Sequence, residues 1–148
     1  MTQETPRHPG RQPHQWLALT VGVVYLLVGV SGFVVTGVDG FTEHDPDQTL
    51  LGFAVNPLHN IVHLLIGLAG ALLWSPASRA RVYGWLLAVG YGGALAYGLV
   101  VADTPDADIL NINAADNWLH AASTLVGLVI ALWPRRQAPS LNPLKDTP

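Results

Sequence analysis

Four long apolar runs dominate this chain: Trp16–Val35, Pro57–Trp74, Val82–Ala102 and Ala114–Trp133. The first three hold no charged residue, and the fourth holds only Asp116, near its start. Twenty helical residues rise about 30 Å, the thickness of a bilayer core. A helix of a soluble domain keeps a polar face, and these runs are apolar all round. Only 11% of the residues are charged, against about 25% in soluble domains. The reading is an all-α fold, an integral membrane four-helix bundle spanning residues 16–133. Polar, Pro-rich stretches at 1–15 and 134–148 are expected to be disordered cytoplasmic tails. The first run is long for a signal-peptide core and lacks a clear cleavage site, so it is taken as a retained helix.

Charge placement orients the bundle. The basic residues sit in the N-terminal tail (Arg7, Arg11), after helix two (Arg79, Arg81) and in the C-terminal tail (Arg135, Arg136, Lys145). The other two loops hold acids: Asp39, Glu43, Asp45 and Asp47 after helix one, and Asp103, Asp106 and Asp108 after helix three. This alternation places both termini in the cytoplasm by the positive-inside rule. Trp16, Trp74, Trp85 and Trp133 fall at the cytoplasmic ends, where interface anchors belong, and Trp118 lies near the opposite face.

Helix two repeats in helix four at an offset of 57 residues. Asn56 meets Asn113, Asn60 meets Asn117, His63 meets His120, Leu68 meets Leu125, Gly70 meets Gly127, and His59 meets Asp116. Each half holds two crossings, so the copies are two parallel helical-hairpin repeats with pseudo-two-fold symmetry about the membrane normal. No residue-by-residue alignment of helix one with helix three emerges. Asn56 and Asn113 are N-caps; Pro57 follows at the first helical position, and Asp116 occupies the third. Asn56, Asn60, His63, Gly67 and Gly70 share one helix face, as do Asn113, Asn117, His120, Thr124 and Gly127. Lipid cannot satisfy such groups. The two stripes are therefore expected to meet, making the contact between helices two and four.

The stretches Asn56–Gly67 (NPLHNIVHLLIG) and Ala115–His120 (ADNWLH) resemble the signatures of an uncharacterised bacterial family of small four-helix membrane proteins, the domain-of-unknown-function family numbered 4383. The resemblance covers about residues 15–135. It implies the fold and a location in the bacterial cytoplasmic membrane, and it carries no activity.

The residues leave three functional classes open. The foremost is a structural or interaction role, in which Asn56, Asn60, Asn113, Asn117 and the histidines form a polar network that fixes helix register. The second is a ligand site. His59, His63, Asp116 and His120 form a set suited to zinc or another divalent transition metal, with Asn60 and Asn117 orienting the imidazoles. In its haem variant, His63 and His120 are paired axial ligands of a b-type haem, with Gly67, Gly70, Ala121 and Ala122 making room. The third class is a small-solute channel or transporter subunit, which four glycine-packed helices would form only as an oligomer. Absence of cysteine excludes thiolate metal sites and covalently attached haem.

The acidic loops lack calcium-loop spacing and read as a solvated rim. His8, His14 and His44 are assigned no role. Nucleophile–base sets, phosphate loops and nucleic-acid patches are missing, so catalysis and nucleic acid are not expected. The expected partners are the lipid bilayer and a homo-oligomer or larger membrane complex.

Overall fold

A computed structural model describes residues 10–135. The expected tails over 1–9 and 136–148, with Arg7, His8, Arg136 and Lys145, lie outside the described residues.

Four α-helices carry the fold: α1 (Pro13–Thr36), α2 (Pro57–Leu73), α3 (Ala77–Val101) and α4 (Ala114–Ala131). α1 starts at Pro13 rather than Trp16. Proline suits the first helical position, and the Gln12 backbone N–H donates to Gln15 Oε1 at 2.8 Å, closing a capping box. α3 starts at Ala77 rather than Val82 and takes in Arg79 and Arg81. The loop after α1 contains an unexpected hairpin, β1 (Thr49–Leu50) and β2 (Phe53–Ala54), antiparallel with Thr49 opposite Ala54. Its turn residues Leu51 and Gly52 both have positive φ, 56° and 90°. That is the twist a two-residue hairpin turn requires.

α1 packs along α2, and α3 along α4. Glycine makes both seams close. A Cβ added at Gly67 would lie 2.5 Å from the Leu26 nitrogen and 2.8 Å from the Gly22 oxygen. One added at Gly127 would lie 2.6 Å from the Ala88 nitrogen and 2.8 Å from the Gly84 oxygen. The expected contact between the stripes of α2 and α4 is therefore corrected. The α2 stripe packs on α1 through Gly22, Gly29 and Gly32, and the α4 stripe packs on α3. α2 and α4 meet through the His59 and His120 rings, 6.1 Å apart near the N-terminal ends of the two helices. The physical reason is the glycines of α1 and α3, which offer a flatter surface than another histidine-bearing helix can.

Tyr25, Tyr83, Leu87, Tyr91 and Ile130 form the core between the hairpins. The distribution of polarity is inverted relative to a water-soluble bundle. His14, Gln15, Asn60, His63, Asp116 and His120 are buried. Large apolar side chains point outward from every helix, among them Val34, Leu65, Leu72, Val89, Val100, Leu125 and Val129. α1 and α3 are each long and apolar enough to cross a membrane; α2 is apolar but shorter.

The two ends differ. At the end holding the α2–α3 turn, Trp16 and Trp74 meet at 5.2 Å, with the Arg11 guanidinium 4.2 Å from the Trp74 ring. There Arg81 donates to the Trp133 carbonyl at 3.0 Å. His14, which the sequence left without a role, is buried here. It stacks on Trp133 and lies 3.4 Å from the Ala77 carbonyl oxygen. At the opposite end the two long loops close over the helix N-termini.

Candidate metal centre

The two N-cap asparagines build that closure. Asn56 accepts from the His59 backbone N–H at 2.9 Å, and Asn113 accepts from that of Asp116 at 3.0 Å. Each then uses its amide on the other loop. Asn56 Nδ2 donates to the Ile109 carbonyl at 2.9 Å, and Asn113 Nδ2 donates to the Gly52 carbonyl at 3.0 Å. The offset that relates Asn56 to Asn113 also relates Gly52 to Ile109, so the two bonds exchange with one another.

Asn111, which sequence reasoning passed over, is fully buried and donates to the carbonyls of Asp45 at 2.7 Å and Val55 at 3.0 Å. Its φ of 53° is one that asparagine tolerates better than most residues. Asp108 corrects the expectation of a wholly solvated acidic rim. It is buried, accepts from the backbone N–H groups of Leu110 and Ile112, and pairs with His44 Nδ1 at 3.2 Å. His44 therefore ties one loop to the other. The signal available in the sequence was Asp108 standing shortly before a helix cap, where a carboxylate can collect loop N–H groups.

Under this lid lie the histidines. His59, Asp116 and His120 each offer a ligand atom, and these atoms lie within 4.8 Å of one another. Their exposures are 3%, 0% and 2%. Asp116 divides its work. Its Oδ2 accepts from the Asn113 N–H at 2.9 Å and the Ala54 N–H at 3.1 Å. Its Oδ1 has no hydrogen-bond partner. Nδ1 of His59 and Nδ1 of His120 are likewise buried and unpartnered, while the His59 ring also faces the backbone of Leu110 and Ala54. Buried polar groups are ordinarily paired, because leaving one bare costs about 1–3 kcal/mol. Three buried residues whose ligand atoms come this close together make an arrangement suited to a cation.

The structure thus brings together three of the four residues expected to bind metal. His63 stands beside the set, its ring 4.5 Å from His59 and 5.2 Å from Tyr25, with both nitrogens unpartnered. The matching pair in the second hairpin is His120 on Tyr91 at 5.4 Å, and Tyr25 stacks on Tyr91 at 5.0 Å. Asn60 and Asn117 do not orient imidazoles. Asn60 donates to Thr36 Oγ1 at 3.0 Å and lays its carbonyl over Gly32; Asn117 lays its own over Gly98. Cross-helix bonds between Asn and His are absent among the described residues. A b-type haem held by His63 and His120 does not fit either. His59 lies within ring contact of both histidines, and Gly67 and Gly70 press on the α1 backbone instead of leaving room.

The family model described as a domain of unknown function, DUF4383, matches residues 15–133. The chain belongs to this family. No curated protein and no solved structure matches it. The DUF4383 match takes in α2, α3, α4, α1 from Gln15 onward and both loops of the lid, so the buried trio lies wholly inside the family domain. In this DUF4383 member the trio is two imidazoles and one carboxylate. That donor set serves zinc and other divalent transition metals, leaving further coordination positions open.

Proposed function

We propose that this chain is a multi-pass protein of the cytoplasmic membrane that holds a divalent transition metal through His59, Asp116 and His120. Convergence of ligand atoms from three buried residues, each of which also holds a buried atom without a hydrogen-bond partner, carries the reading. Metal–ligand bonds of about 2.0–2.2 Å place ligand atoms within about 4 Å of one another. Side-chain shifts of under about 1 Å therefore complete the site. Asp116 Oδ2, tied to two backbone N–H groups, fixes the carboxylate and leaves Oδ1 free of hydrogen bonds. The lid bonds of Asn56, Asn111 and Asn113 favour a metal that stays over one that passes through. A purely structural network is less favoured, because the histidines expected to bond across the helices leave ring nitrogens bare: Nδ1 of His59 and His120, and both nitrogens of His63.

The membrane reading rests on the outward apolar side chains of all four helices, together with α1 and α3 being long enough to cross. Contiguous apolar surface of this extent needs an apolar surrounding. Arg11, Arg79, Arg81 and Arg135 gather at the tryptophan-rich end, which by the positive-inside rule supports a cytoplasmic position for that end. Two recurrences support the pseudo-two-fold relation of the hairpins, with the transmembrane domain over residues 16–133. One is the exchange of lid bonds between Asn56 and Asn113; the other is the pairing of Tyr25 with His63 and of Tyr91 with His120.

Elemental analysis of detergent-purified protein, loaded with zinc and desalted, tests the proposal. The wild type is expected to hold about one zinc per chain, and the His59→Ala/His120→Ala variant almost none, at equal monodispersity. Equal zinc in the two proteins would overturn it.

A further inference from the structure

Beside the trio is a cavity of about 370 Å³ that the metal does not use. Val24 and Val28 of α1 form one wall, and Ala122 and Val126 of α4 the other. The hairpin lines it through Leu50, Leu51 and Phe53, and Val55 follows directly after. β1 packs on α1 and β2 on α4, so the hairpin bridges the two helices that frame the opening. Four polar side chains line this apolar space: Thr20, an exposed residue of α1, and Tyr25, Ser123 and His63, which are buried. Tyr25 and Ser123 satisfy each other with a hydroxyl–hydroxyl bond. His63, only 2% exposed, has neither nitrogen paired. No charged side chain lines the cavity.

We infer that this cavity takes a lipid-soluble molecule with a neutral hydroxyl or carbonyl head, bound head-first to the His63 imidazole with its apolar tail between α1 and α4. The chemistry of the walls selects the tail. The leftover imidazole, able to donate through one nitrogen and accept through the other, selects the head. A charged head is disfavoured because no opposite charge faces it. At about 30 Å³ per water-sized group, the cavity holds about a dozen such groups, the size of a twelve-carbon alcohol. The inference rests on the membrane reading, since lipid supplies the ligand, and not on the metal, since His63 lies outside the trio.

Photolabelling of the full chain with a dodecanol that carries a diazirine in its tail tests this. Crosslinks are mapped by mass spectrometry with dodecanol or dodecane as competitor. Saturable labelling is expected on residues 21–28 of α1 and 119–126 of α4. Dodecanol should compete about tenfold better than dodecane, the worth of one good hydrogen bond to a buried partner. His63→Ala should abolish that preference. Ala122→Phe, a change at an exposed position that leaves the core untouched, should abolish the labelling. Labelling that does not saturate, that survives Ala122→Phe, or that both competitors displace equally overturns the inference. Carbonate extraction of the same cells keeps the two readings apart. Protein that stays with the membrane but fails the labelling test sinks the cavity alone, whereas protein released by carbonate sinks the membrane reading beneath it.

Discussion

Leu51 adopts a left-handed backbone at φ 56°, with its side chain 89% exposed at the hairpin tip. For a residue with a Cβ that conformation costs about 1–2 kcal/mol, and an exposed side chain recovers little of it by packing. Leu51→Gly is therefore expected to raise stability by about 1 kcal/mol in denaturant unfolding, less what glycine's freer unfolded chain takes back. A loss of stability would mean that the leucine is held by contacts with its surroundings. The residues of the proposed metal centre are constrained differently. Asp116 serves as helix cap and lid anchor and is a proposed ligand as well. Its role as a cap was readable from its place three residues after Asn113, because capping depends on local chain geometry. Its bond to Ala54 was not, because that bond depends on the unforeseen hairpin lying over α4. His44, Asp108 and Asn111 were hidden for the same reason: each is defined by a partner on a distant loop.

Among the elements, the helices were legible and their partners were not. A residue spacing tells which side chains share a helix face; it does not tell which neighbour receives that face. Gly22, Gly29 and Gly32 on α1 held the missing signal, since their spacing makes a smooth strip able to admit α2 at close range. The seams give a graded prediction. Gly67→Ala and Gly127→Ala each push a methyl into backbone atoms, which cannot move aside as a flexible side chain can. Each should cost about 1–3 kcal/mol, read as a lower midpoint of unfolding in mixed detergent. Gly93→Ala, with nothing within 4 Å of the added carbon, should leave the midpoint unchanged or slightly raise it. Equal effects at all three positions would contradict the close-seam account.

Across the whole molecule, the buried polar groups and the outward apolar ones are two aspects of one arrangement. Surrounding hydrocarbon would drive imidazole, amide and carboxylate inward, and the tight α1–α2 and α3–α4 seams leave them one meeting place, under the lid between the hairpins. Each hairpin supplies part of the site: His59 from the first, Asp116 and His120 from the second. Metal held there would tie the hairpins together, supplementing the lid bonds and the Tyr25–Tyr91 stack. X-ray absorption at the zinc edge of the loaded protein reads that junction directly. The account predicts a sulfur-free first shell of nitrogen and oxygen at about 2.0–2.1 Å, with the outer-shell scattering of two imidazoles that disappears in His59→Ala/His120→Ala. A shell of oxygen alone, without imidazole scattering, would contradict it.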